Sequence, residues 1–343
     1  MKNKGLLATV AVLVLVLVGY GLFQGGKNAG KASENASSSE TAADKHYSVG
    51  VLQLMSHPAL DQIYEGIKEG LAAEGLEEGK NLTLHFQNGQ GDQSKLNTMS
   101  QQLIKDKSEV LVGIATPAAQ ALDNNVKNKD IPIVLGAVTD PKGADLVASN
   151  EAPGANITGV SDQPPVEEII ELAHKLLPEA KKVGMLYASS EANSKFQIEK
   201  ASEKAKELGL EVVNKPVSST NEVAQTVQIL AKEVDFVFIP LDNTIANAME
   251  TVAQEAEKQQ LPIFPSVETM VEQGGVATIG ISQKELGVQT GKMAAQIAKG
   301  EADPATTAIY TFAKGETIIN RQLAETLGIQ LTDELTKEAR FTD

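Results

Sequence analysis

VLVGIATPAAQAL, residues 110–122, runs an apolar strand into a hydroxyl, a proline and a string of small residues. The run at 110–115 has the length and β-branched content of a buried strand. Pro117 suits the first turn of a helix, and Thr116 supplies a side-chain oxygen at its start. Three other stretches repeat this grammar: VGVLQLMSHPALDQI (49–63), KVGMLYASSEANSKF (182–196) and VDFVFIPLDNTIANAM (234–249). Each ends a strand beside free backbone N–H groups. In an open parallel α/β sheet that edge is where ligands bind, and a helix N-terminus there favours an anion. Two junctions fall in each half of the chain, so two sheets facing one ligand are expected.

Strand and helix patterns alternate outward from these junctions. In the first half, strands are expected at 49–54, 82–86, 110–115, 132–138 and 157–160. Between them lie helices with apolar stripes, Leu60, Ile63, Ile67 and Leu71 in one, and Leu96, Met99, Leu103 and Ile104 in another. In the second half, Val166, Ile169, Ile170, Ala173, Leu176 and Leu177 form a stripe that stops at Pro178. Strands at 182–187, 210–217, 235–240, 261–264 and 276–281 then alternate with helices at 190–208, 221–232, 244–260 and 266–273. A helix at 284–299 and a strand near 308–312 come last. This order predicts an α/β protein of two Rossmann-like lobes, each a mostly parallel sheet flanked by helices. Residues 47–160 with 283–303 are expected in the first lobe, and 161–282 with 304–343 in the second. Chain crossings near Val160–Gln163, Ile281–Gln283 and Asp303–Thr307 would make a hinge.

Composition narrows the function classes. The chain has 343 residues, enough for two domains, and a formal net charge of −15. That balance disfavours nucleic acid and anionic membrane surfaces as partners. There is no cysteine, so disulfides, thiolate metal sites and a cysteine-linked lipid are excluded. Lys2 and Lys4 precede an apolar run of 18 residues, Leu6 to Phe23. Residues 1–25 therefore read as a single-span membrane anchor, with a cleaved signal peptide as the alternative. Residues 26–46 read as a flexible polar linker. The positive charge before the run puts the remaining chain outside the cytoplasm.

The polar residues at the junctions suggest binding more than catalysis. Thr116 with the following amides would hold a carboxylate, or simply cap a helix. Ser190 and Asn193, in SSEANS (189–194), repeat the arrangement in the second half. Asp140 in AVTDPKG would pair with an ammonium, or begin a turn before Pro141. Asp242 and Asn243 cap a helix and stand where a ligand contact would be. His57 reads as a cap or lid residue. No G-x-S-x-G occurs, the four histidines lack metal-ligand spacing, and GVQTGKM (287–293) departs from a phosphate loop in spacing and in its missing hydroxyl. No enzyme activity, metal or cofactor is expected.

Together, the stretches QLMSHPALDQIYEGIKEGL, QNGQGDQSKLNTMSQQL, GIATPAAQAL, AVTDPKGA, GVSDQPPVEEIIEL, SSEANS, PLDNT and GKMAAQIAKG resemble the ABC-transporter substrate-binding proteins of the tryptophan/tyrosine type. The resemblance spans Val49 to Leu327 and implies a type I periplasmic-binding fold. It implies capture of an amino acid, tryptophan, phenylalanine or tyrosine, and delivery to an ABC permease in the membrane. It further implies Thr116 and Ala118 as carboxylate contacts and Asp140 as the ammonium partner. Ser190 and Asn193 would add contacts from the second lobe, with Asp242 and Asn243 at the opposite wall. Gln53, Met55 and Ser56 would form a lip over the side chain, and Phe264 and Ser266 would help line its slot. A sugar or nucleoside receptor, or a ligand-sensing domain, is the alternative on the same fold. A monomer is the expected state.

Overall fold

The computed structural model describes residues 45–342 apart from residue 128. The expected anchor at 1–25 and nearly all of the linker lie outside the described residues. Among those described, no helix is long and apolar enough to cross a membrane.

The first sheet contains strands β1 (Tyr47–Gln53), β2 (Leu82–Asn88), β3 (Val110–Ile114), β4 (Ile133–Gly136), β5 (Ile157–Ser161) and β11 (Tyr310–Thr311). Their order is β11-β5-β4-β3-β1-β2, and every pairing is parallel. Strands β3, β4 and β5 are buried at every residue, because helices cover both faces. This explains their continuous apolar sequence. The chain reverses its direction of strand addition between β1 and β3, so a crevice opens beyond their carboxyl ends.

The second sheet contains β6 (Lys182–Ala188), β7 (Glu211–Val217), β8 (Phe236–Ile239) and β9 (Ile263–Pro265), in the order β7-β6-β8-β9, all parallel. Its reversal lies between β6 and β8. A small third sheet, β10 (Ala277–Gly280), β12 (Glu316–Ile319) and β13 (Arg340–Phe341), adjoins it through Val276, whose N–H donates to the Ile263 carbonyl at 2.7 Å.

The helices follow the expected alternation: α1 (Pro58–Ala73), α2 (Gln93–Lys105), α3 (Thr116–Asn125), α4 (Val166–Leu176), α5 (Ala192–Glu207), α6 (Val223–Glu233), α7 (Asn243–Asn247), α8 (Met249–Lys258), α9 (Glu268–Glu272) and α10 (Gln283–Lys299). The single helix expected at 244–260 is two, broken at Ala248. Beyond residue 312 the sequence pattern missed β12, β13 and two short helices, α11 (Arg321–Thr326) and α12 (Asp333–Glu338).

Tyr310–Thr311, expected with the second lobe, instead pair with Val160–Ser161 on the edge of the first sheet. The preceding turn is already tied there. Thr158 donates its hydroxyl to the Thr307 carbonyl at 2.7 Å, and Gly154 N–H donates to the Ala305 carbonyl at 2.9 Å. The third crossing therefore lies between β11 and β12, after the turn at 303–307. The other two lie between β5 and α4 and between β10 and α10.

Helices α1 and α10 pack with their backbones almost touching. A Cβ on Gly66 would lie 2.2 Å from the Lys284 carbonyl, and one on Gly70 would lie 2.1 Å from that of Val288. From the other side, a Cβ on Gly287 or Gly291 would meet the Ile63 or Ile67 carbonyl at 2.1 or 2.2 Å. The two glycine pairs, each four residues apart, fall on one face of each helix. Segment 283–299, distant in sequence, is thereby locked onto the first lobe.

Candidate functional site

A cavity of about 30 Å3 lies where the two reversal points face each other. The first lobe contributes His57, Leu60, Ala115, Thr116, Ala137 and Thr139, and the second contributes Asn193, Leu241, Asp242, Asn243, Val267 and Met270. Two crossings add Asp162 and Gln283. A neighbouring cavity of about 40 Å3 shares Thr116 and Asn193 and is bounded by Asp140, Ala144 and Phe196.

The first-lobe wall is made by unusual backbone. Ala115 (φ 76°, ψ 153°) and Ala137 (φ 62°) follow the ends of adjacent strands at positive φ. Such backbone costs an alanine about 1–3 kcal/mol and persists where the surroundings fix it, often at ligand sites. The strands stay joined there, since Ala115 N–H donates to the Gly136 carbonyl at 2.9 Å. Ala115, rather than Thr116, occupies the cap position of α3, and no side chain caps that helix. The Thr116 hydroxyl is thereby left to the cavity.

The second-lobe wall is a carboxylate cluster. Glu191, 4 % exposed, accepts from Asn243 N–H at 3.1 Å and Asn243 Nδ2 at 2.6 Å. It also accepts from Thr244 N–H and Thr244 Oγ1, both at 2.9 Å, and from Asn193 Nδ2 at 3.2 Å. Asp242 caps α7 by accepting from Ile245 N–H at 2.9 Å, and also accepts from Ala188 N–H at 2.6 Å and Ser194 Oγ at 2.7 Å. Burial, and then the charge of Glu191, raise Asp242 to about 7. These bonds tie the start of α7 to the start of α5.

Asp162 sits in the first crossing and accepts from Thr139 Oγ1 at 2.9 Å. Burial raises it to about 6, against the hydrogen bonds from Thr139 and its own backbone N–H. His57 Nε2 lies 3.2 Å from Asn243 Oδ1, and burial lowers the imidazole below its usual range. Among the residues lining the main cavity, two buried acceptors have no protein partner, Asn193 Oδ1 and His57 Nδ1.

Of the residues singled out in the sequence, Thr116, Asn193, Asp242 and Asn243 line the main cavity. Asp140 lines only the neighbouring one, and its Oδ1 accepts from Gly143 N–H at 2.9 Å in the turn after β4. Gln53, Met55 and Ser56 line neither of these cavities. Gln53 Nε2 donates to the Met55 carbonyl and Asp61 Oδ1, and Ser56 Oγ donates to Asp61 Oδ2, each at 2.7 Å, bracing the loop that carries His57. Ala118 is packed in the first-lobe core and Ser190 is exposed. Phe264 packs edge-on against Phe236, with ring centroids 5.5 Å apart, in the second-lobe core. Ser266 is buried, donating to the Ile239 carbonyl at 3.2 Å. Glu191, Asp162, Thr139 and Gln283 were missed. Asp162 lies in SDQPP, which reads as a connector; only its position at a crossing signalled a role.

The sequence matches the profile of the family described as ABC transporter substrate binding protein over residues 48–342. It is 34% identical over 330 residues to the tyrosine-binding protein of Clostridioides difficile (strain R20291), covering 96% of this chain and 94% of that protein. The ABC domain from Streptococcus pneumonia in complex with L-Trp is 45% identical, with a TM-score of 0.83 over 87% of this chain and 99% of that one. The ligand-free, open structure of a substrate binding protein with adhesive properties from Clostridium difficile is 33% identical, with a TM-score of 0.67 and coverage of 87% and 99%. A two-lobed α/β fold with three crossings and a cavity at the facing strand ends agrees with these matches, and the chain belongs to the ABC transporter substrate binding protein family, with a type I periplasmic-binding fold.

Proposed function

We propose that this chain is the extracytoplasmic receptor of an ABC importer, capturing an aromatic amino acid between its lobes and delivering it to a membrane permease. The observation that carries this reading is the pairing of opposite binding chemistries in one two-lobed cavity. Burying an amino acid's charges is costly unless each is matched. Asp162 and Asn193 Oδ1 offer acceptors for the ammonium, while the Thr116 hydroxyl at the start of α3 offers a donor at a positive helix end for the carboxylate. Leu60, Leu241, Val267 and Met270 supply apolar surface for a side chain, and methionine sulfur packs well on aromatic rings.

At about 30 Å3 the cavity has room for little more than a water molecule, so ligand entry requires the lobes to separate. The higher TM-score with the L-Trp complex than with the open, ligand-free structure supports a closed arrangement here. A sugar or nucleoside receptor is less well supported, because among the described residues no Phe, Tyr or Trp lines the cavity to stack on a ring.

A thermal-shift panel of amino acids, sugars and nucleosides tests the reading. A cognate ligand at 100 times its Kd adds about 2.7 kcal/mol of stability. Stabilisation by tryptophan or tyrosine is expected; stabilisation by sugars or nucleosides alone would reject it.

A further inference from the structure

The amino-acid reading leaves one buried acceptor in the wall unused, and the neighbouring hydrogen bonds fix its state. Glu191 receives donors from Asn243 N–H, Thr244 N–H and Thr244 Oγ1, so its carboxylate acts purely as an acceptor. Asn243 must therefore turn its Nδ2 toward Glu191, at 2.6 Å, and its Oδ1 the other way. That oxygen meets His57 Nε2 at 3.2 Å, and a carbonyl oxygen can only accept, so Nε2 carries the hydrogen. Burial favours the neutral imidazole. Nδ1 is then a bare lone pair in a side chain 6 % exposed, with no protein partner, and it caps no helix N–H.

An unmatched buried acceptor disfavours any ligand without a donor to offer it. The ligand ammonium already has Asp162 and Asn193 Oδ1. We infer that His57 Nδ1 accepts a hydrogen bond from the ligand's ring, an indole N–H or a phenol O–H, so that the receptor selects tryptophan- or tyrosine-like side chains over phenylalanine-like ones. The inference rests on the amino-acid reading and narrows it. Glu191, Asn243 and His57 form a relay of orientation: a carboxylate at one end sets a tautomer at the other, and the tautomer reads the ligand.

Calorimetry on the full-length protein tests this with paired ligands that differ only in the ring donor. The pairs are L-tryptophan against 3-(3-benzothienyl)-L-alanine, and L-tyrosine against O-methyl-L-tyrosine and L-phenylalanine. Loss of the donor is expected to weaken binding by about tenfold or more in at least one pair. His57→Phe should bring that pair to near-equal affinity, and His57→Gln, which retains an acceptor, should restore part of the preference. Equal affinities for the unaltered protein in every pair overturn the inference without any variant being needed. So does a His57→Phe protein that weakens all amino acids by one common factor, which would make His57 only a contact between lobes. If no amino acid binds at all, the receptor reading itself falls, a result distinct from equal binding.

Discussion

His57 and Asn243, 186 residues apart in sequence, meet across the cleft with Nε2 and Oδ1 3.2 Å apart. This hydrogen bond joins the start of α1 in the first lobe directly to the start of α7 in the second. Replacing Asn243 with alanine removes the bond and also withdraws one side-chain contact, Asn243 Nδ2 to Glu191, from the α5–α7 cluster. The Asn243→Ala protein should have a larger radius of gyration in small-angle scattering without ligand, and about tenfold weaker ligand binding. Unchanged scattering and affinity would mean that closure is held elsewhere.

Asp162 gives binding a pH dependence whose sign is fixed. Burial raises its pKa to about 6 in the closed, ligand-free protein, whereas a bound ammonium favours the ionised form. Below about pH 6 a proton must leave for the pair to form, so affinity falls with pH, approaching tenfold per unit. Protonation of His57, which burial disfavours, acts in the same direction; Asp242, raised to about 7 beside Glu191, titrates in the same range. Calorimetry at pH 7.5 and 5 should show the loss, and Asp162→Asn should flatten its largest part.

The same measurements separate two candidate ammonium partners. Asp140 is engaged with Gly143 N–H in a turn, whereas Asp162 lines the main cavity. Asp162→Asn should therefore weaken amino-acid binding at neutral pH more than Asp140→Ala does. The reverse order would return the role to Asp140.

Glu191 is an anchor more than a ligand contact, and its removal should be felt as stability. Glu191→Ala leaves Asn243 N–H and Thr244 N–H without their acceptor at a buried helix start. Losses of this kind cost about 3 kcal/mol, read as a lowered midpoint in thermal unfolding of the ligand-free protein. A midpoint unchanged from the parent would show that water replaces the carboxylate.

The glycine contact between α1 and α10 should tolerate no added methyl group. Gly287→Ala would place its Cβ at a position 2.1 Å from the Ile63 carbonyl, where only backbone movement relieves the clash. A loss of at least about 2 kcal/mol is expected in denaturant unfolding.

The sequence makes the strand–helix alternation plain because buried parallel strands are uniformly apolar and amphipathic helices are periodic. Both signals are local. Strands β11 and β13 have two residues each, and pairing with distant partners alone defines them. The site divides in the same way. Thr116, Asn193, Asp242 and Asn243 stand at strand-to-helix junctions, so position alone marked them. Asp162 belongs to a connector whose prolines excluded a helix but carried no sign of a carboxylate buried in a hinge. Glu191 lay inside a stretch already marked, but its five donors come from Asn193, Asn243 and Thr244, two of them about 50 residues away. Phe264 was expected to line the slot, yet β9 directs it into the second-lobe core against Phe236.

The backbone contact between α1 and α10 also makes this molecule a ready optical gauge. With no side-chain layer between those helices to compress, the first lobe would serve as a stiff mount, and lobe closure would be rotation at the three crossings. The chain has no cysteine, so two introduced thiols can be labelled against a blank background. Ala72, exposed on α1, and Gln254, exposed on α8, lie on opposite lobes. Dyes attached there would report the hinge angle itself, turning ligand occupancy into a change in energy transfer.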